Sequence, residues 1–310
     1  MRTYLFNILI PLSIMCASCN NNEAPLEQID FNDYESSILL DKMQQFNDSL
    51  LNNKAKNRPI IQPGAWERAQ IIASDCFGAI DGGEAGAWAG GLLGPQGAAA
   101  GALLGGLLGG ACCSYVAWQE IKMQTRTDQL DYADLDSAKE KTICAYAIML
   151  DEDIDLSEHT PKEVNVEYPI ENENIILMGA KHNIILEKLI NSGELDLNLK
   201  NNLSMEQLEI INSKEFTDNF NLAMEDLSND IKNSNIITST GDDKKTKLMN
   251  MFYEILIKYP EDLNDVEFII NQYIKAVDSS TELSPHEKEL IYAGLSVAAS
   301  SSEFWNEMYK

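Results

Sequence analysis

His182 and Asn183 are the adjacent side chains of this chain best suited to polar chemistry. An imidazole exchanges a proton near neutrality, and a neighbouring amide can fix its tautomer. The pair stands in a helical pattern, Gly179-Ala-Lys-His182-Asn183-Ile-Ile-Leu186, where it would suit a ligand or switch site. The alternative is a buried, hydrogen-bonded pair holding Gly179 close to a neighbouring helix, and that is the one we expect. His159 and His286 lie among charged residues and read as surface or capping side chains. Asp151-Glu152-Asp153 offers carboxylates for a loosely held calcium ion, but a solvated acidic loop explains them more simply. The run Ser300-Ser301-Ser302 has no histidine near it in sequence to act as base, and reads as a close helix contact. No H-E-x-x-H, G-x-S-x-G, P-loop or EF-hand spacing occurs. The expectation is therefore no catalytic, cofactor-binding or metal-binding residue, with an enzyme of unrecognised class as an alternative.

The elements that must position these side chains are dominated by glycine. Gly78, Gly82, Gly86, Gly90 and Gly94 form one four-residue ladder, and Gly97, Gly101, Gly105 and Gly109 form a second. A four-residue step returns to nearly the same helix face, so each ladder draws a stripe without side chains. Folded back at Pro95-Gln96, the stripes face each other as 94/97, 90/101, 86/105 and 82/109, with Gly78 toward Cys113 and Ser74 toward Ala117. This predicts a hairpin with arms at about 65–94 and 97–126, packed backbone to backbone. Glycine in a helix interior costs roughly 0.5–1 kcal/mol against alanine, so neither arm should be stable alone.

Arm two has no charge from Gly97 to Trp118, a length sufficient to cross a bilayer, and Leu103, Leu104, Leu107 and Leu108 form a second stripe on it. Trp88, Tyr115 and Trp118 are candidate interfacial aromatics. Arm one argues the other way. Asp75, Asp81 and Glu84 interrupt it, and a carboxylate at mid-bilayer costs roughly 2.5–3.5 kcal/mol on insertion scales. The expectation is a hairpin buried in a helical bundle, ahead of partial insertion by its tip and of a two-span state.

The remaining segments read mostly as helix. Apolar residues at Ile38, Leu39, Met43, Phe46 and Leu50 recur near the helical period within 32–51, and the prolines of 52–63 mark a linker. Asp136–Leu150, Lys244–Lys258 and Leu263–Val277 are further helices, and Glu163–Tyr168 alone alternates like a strand. Ser204-Met-Glu-Gln207 and Ser284-Pro285-His-Glu287 have capping-box spacing. The fold class expected is all-α, a helical bundle around the glycine hairpin.

A chain of 310 residues with net charge −26 repels phosphate backbones and is expected to bind no nucleic acid. Residues 1–18 read as an export signal, with Arg2 ahead of a short apolar run from Tyr4 to Met15. Export permits disulfides among Cys76, Cys112, Cys113 and Cys144. A Cys76–Cys112 or Cys76–Cys113 link fits the hairpin register, and spacing alone leaves connectivity open.

Cys16-Ala17-Ser18-Cys19 resembles the lipobox cut by lipoprotein signal peptidase, although Cys16 replaces the usual leucine. The resemblance implies lipidation at Cys19, and Asn20 in place of aspartate implies the outer membrane; a chain without lipid would be secreted. The glycine ladders resemble the zipper hairpins of bacterial outer-membrane lipoproteins. Trp66, Ala73, Asp75, Gly78 and Ala79, the G-x-x-H-N-x-x-L stretch, and Ser296-Val-Ala-Ala-Ser300 to Phe304-Trp305 together resemble a set of exported bacterial proteins of uncharacterised role. That resemblance implies no activity.

The organisation expected is a signal peptide at 1–18, then a tether, short helix and linker at 19–63. The hairpin and its following helix occupy 64–150, and an acidic helical region packing on the hairpin occupies 151–310. The function expected is a lipid-anchored structural or binding module, attached to the membrane by its N-terminus and open to a protein partner or self-association. The alternative from another class is a membrane-active, bacteriocin- or toxin-like effector whose hairpin inserts or oligomerises. Coverage of the Leu103–Leu108 face decides between them.

Overall fold

Gly94 turns the chain between its two longest helices at φ +97°, a left-handed conformation that glycine adopts without strain. The computed structural model describes residues 39–57, 64–124, 134–191, 195–233, 235–260 and 262–309. The expected signal peptide, Cys19 and the segment leading to Leu39 lie outside the described residues. In chain order α1 spans Leu39–Asn57, α2 Ala65–Gly91 and α3 Pro95–Gln124. Next are α4 at Leu135–Asp151, the single turn α5 at Glu173–Ile176, and α6 at Met178–Asn191. The C-terminal part adds α7 (Met205–Ile211), α8 (Lys214–Lys232), α9 (Lys244–Lys258), α10 (Leu263–Ser279) and α11 (Pro285–Met308). Two 3-10 turns, Leu156–Glu158 and Leu197–Asn202, lie in the connections.

The fold is an all-α bundle, and no strand occurs among the described residues. Glu163–Tyr168, despite its alternation, is irregular. Its amides are taken by side chains of neighbouring helices: Glu303 accepts from the backbone N–H groups of Lys162 (2.9 Å), Glu163 and Val164 (2.6 Å), and Glu267 from that of Asn165 (2.9 Å). Side-chain acceptors thus satisfy the Glu163, Val164 and Asn165 amides without a ladder. Both expected capping boxes form, at Ser204/Gln207 and Ser284/Glu287, the second with Pro285 in the first turn.

The arms α2 and α3 occupy the middle of the bundle. α11 and α8 pack along α2, while α6, α8 and α4 cover α3. The stripes interdigitate: a Cβ at Gly82 would stand 2.3 Å from the Gly105 carbonyl oxygen and 2.9 Å from Gly109 Cα. One at Gly86 would meet Gly101 O at 2.0 Å and Gly105 Cα at 3.1 Å. Gly82, Gly86, Gly101, Gly105 and Gly109 therefore each sit between two glycines of the opposite arm, half a rung from the simple face-to-face pairing, because carbonyls of one arm fill the gaps beside the Cα atoms of the other. Gly94 leaves the ladder altogether and serves the turn, with no atom within 4 Å of where its Cβ would lie. The helices accordingly end at Gly91 and begin at Pro95 rather than at 94 and 97.

α1 runs through part of the region expected as a linker and continues to Asn57. Its Leu39, Met43, Phe46 and Leu50 are buried. Asn47 fastens it to the bundle, donating through Nδ2 to Met251 O (2.9 Å) and Tyr273 Oη (3.0 Å).

Candidate functional site

A polar seam runs along α11 where it packs on α6 and on α2, and it gathers most of the side chains singled out by chemistry. α6 can approach α11 because Gly179 has no side chain: a Cβ there would lie 2.2 Å from Ser296 O and 2.7 Å from Ser300 Cβ. The Gly179 N–H donates to Ser296 Oγ at 3.2 Å, and Ser296 in turn donates to Ile176 O at 2.7 Å. One turn on, Asn183 Nδ2 donates to Ser300 O at 2.9 Å. That bond orients the amide so its Oδ1 faces His182 Nδ1 at 3.0 Å, which assigns the imidazole proton to Nδ1.

His182 is fully buried beside Gly110 of α3, and Nε2 has no well-formed hydrogen bond. Burial pushes its pKa down to about 4, against smaller upward contributions from Asn183 and the Gly110 backbone. The ring is neutral near pH 7. His182 and Asn183 thus form a packing and hydrogen-bonding joint between helices, His182 fully enclosed and Asn183 touching a surface cleft.

Asp75 of α2 anchors the other end of the seam. Its Oδ2 accepts from Trp305 Nε1 at 3.2 Å and from the Ser301 hydroxyl, both on α11. Burial pushes the Asp75 carboxyl up to about 7, opposed by Ser114, Ser301 and Trp305. Ser114 lies beside it, yet its hydroxyl and Asp75 Oδ1 both lack a well-formed partner. A proton on Oδ1 would give that oxygen something to donate. Ser302 donates to Ala299 O at 2.7 Å. The serine run therefore directs hydroxyls at a carboxylate and a carbonyl, an arrangement for joining helices rather than for nucleophilic attack.

The four described cysteines are buried free thiols. Cys113 Sγ lies 3.3 Å from Met224 Sδ of α8, and Cys76 faces Gly294 of α11. Burial pushes Cys112 up to about 12, and Cys76 and Cys113 well above the ordinary range. Protonated buried thiols are poor nucleophiles.

Among the described residues, two surface clefts lie beside the side chains of the hairpin and the seam. One, of about 490 Å³, is lined by Asp81, Glu84, Trp88, Glu215, Asp226 and Asp243 among others. Lys245 bonds to Glu84 at its edge, and burial pushes half-buried Asp81 up to about 7 despite the Lys245 charge. The second, about 300 Å³, lies between the 158–162 loop and α11 and includes His159, Asn183 and Glu303. Among the described residues no group of three or more His, Cys, Asp or Glu side chains is placed to hold a metal ion.

Nothing in the spacing of the sequence joins Asp75 to Ser301 and Trp305. The signal was available: an aspartate in an otherwise apolar helical stretch must be paired or protonated when buried. Compared with known protein families, curated proteins and solved structures, the chain matches none.

Proposed function

We propose that the protein is an exported, lipid-anchored structural or binding module of the outer membrane, with the glycine hairpin as its permanent core. The observation that carries this reading is the coverage of arm two: Leu104, Leu107 and Leu108 are buried beneath neighbouring helices, and Leu103 is half-buried. Pro95–Met123 is the helix that, among the described residues, is long and apolar enough to cross a membrane, and 78% of its most apolar window lies inside the bundle. Withdrawing it would expose the cores beneath α4, α6 and α8, and withdrawing the whole hairpin would also break the Asp75 contacts with α11. The lipid anchor rests on Cys19 and the residues before it.

The test is dye release from phosphatidylcholine vesicles by the chain lacking residues 1–18. The expected result is no release above buffer. Release that disappears when Gly90 and Gly101 are replaced by leucine would support the membrane-active effector instead.

A further inference from the structure

The end of the hairpin stands outside the bundle that covers the rest of it. Trp88 is 68% exposed, Leu92 70% and Leu93 40%. Nothing lies within 4 Å of a Cβ at Gly91 or Gly94, and Pro95, Gln96, Ala99 and Ala100 are exposed. No charged residue occurs from Ala85 to Trp118, in a chain of net charge −26. An apolar, uncharged knob on so acidic a protein is the surface that water solvates least well.

The backbone of the knob is prepared for an apolar medium. The amides of Leu92, Leu93 and Gly94 donate to Ala89 O (3.3 Å), Gly90 O (2.8 Å) and Gly91 O (3.1 Å), and that of Ala98 to Gly94 O (2.9 Å). Pro95 has no amide hydrogen. Unpaired amides are what exclude most turns from a lipid environment, and this turn keeps few. From Trp88 to Leu92 the helix rises about 6 Å, within the roughly 5–10 Å that apolar side chains sink into the headgroup boundary.

We propose that Trp88, Leu92 and Leu93 dock this tip into the interface of a zwitterionic phospholipid bilayer while both arms remain in the bundle. The proposal rests on the buried-core reading above. Charge selects the lipid: Glu215 and Asp226 line the cleft beside Trp88 and, on a chain of net charge −26, would be repelled by an anionic surface. A tip contact would add a second attachment to a single lipid anchor and orient the bundle on its membrane.

The test is flotation of the unlipidated chain, lacking residues 1–18, with phosphatidylcholine and phosphatidylglycerol vesicles. The expected result is binding to phosphatidylcholine, several-fold weaker binding to phosphatidylglycerol at low salt, and at least tenfold loss in Leu92→Glu/Leu93→Glu. Met205→Glu, at a leucine-sized side chain 82% exposed elsewhere, should bind as wild type. Absence of binding, or equal loss in Met205→Glu, would overturn the proposal. Concentration-dependent dimers that the double variant abolishes, without vesicle binding, would also overturn it in favour of tip-to-tip association. Binding accompanied by dye release would instead contradict the buried-core reading, so the two failures are distinguishable.

Discussion

Asp75 and Trp305 meet across 230 positions of sequence, the indole N–H donating to the carboxylate at 3.2 Å inside the bundle. The contact ties the first arm of the hairpin to the last helix, so closing the hairpin and completing the C-terminal region become one event. It also leaves a carboxyl buried with no cationic partner described for it, which is why its pKa rises.

That rise gives a pH dependence of definite sign. The folded state holds the Asp75 proton up to about pH 7, whereas an unfolded chain releases it near 3.8. Stability from this group is full at low pH and is lost as pH climbs from about 4 through 7, by about 4 kcal/mol at the order-of-magnitude level. His182 acts oppositely: with a folded pKa of about 4 against 6.5, it removes stability as pH falls through that window. The clean measurement is therefore a difference. In urea titrations, Asp75→Asn should lose most relative to wild type at pH 4.5 and little at pH 8; parallel stability curves would refute the assignment.

Glycine substitutions should separate by position. Gly86→Ala places a methyl 2.0 Å from the Gly101 carbonyl oxygen, backbone that cannot rotate away, so the arms must part. A loss of about 3 kcal/mol or more is expected. Gly91→Ala, with nothing within 4 Å and a helical backbone, should instead stabilise by roughly 0.5–1 kcal/mol. Denaturant midpoints moving in the same direction for both would mean the arms do not pack as described.

The hairpin was legible in the sequence because a four-residue glycine period has almost no other use in a helix. Its half-rung stagger was not, since the periodicity fixes the facing stripes but not how carbonyls settle between Cα atoms. The Gly179 stretch was legible as a close approach, and Ser204 and Ser284 as helix starts, since each is a local rule. The Asp75–Trp305 contact and the acidic cleft were hidden because they join side chains far apart in the chain. Glu163–Tyr168 misled because alternation reports one buried and one exposed face, which a loop held by Glu303 also produces.

Asn183→Ala should destabilise by about 1–3 kcal/mol. The change removes the inter-helix bond to Ser300 O and the acceptor from His182 Nδ1, leaving the buried imidazole N–H unmatched. His182→Phe in the same background should recover part of that loss by removing the orphaned donor. Thermal unfolding of the single and double variants checks this, and strictly additive losses would show that the pair is not coupled.

Mass spectrometry of the N-terminus of the protein from its native envelope should give a lipidated Cys19 as the first residue. An unmodified Cys19, or cleavage at another position, would remove the anchor from the proposed function.

A structural module of this kind requires the hairpin to remain in the bundle when a membrane is present. Cys113 on α3 and Met224 on α8 offer a direct probe, with their sulfur atoms 3.3 Å apart. Met224→Cys should cross-link to Cys113 under mild oxidation to the same extent in buffer and with phosphatidylcholine vesicles, as mapped by peptide mass spectrometry. Cross-linking in buffer that vesicles abolish would mean that the second arm leaves its covering helices at a membrane, and would contradict the account.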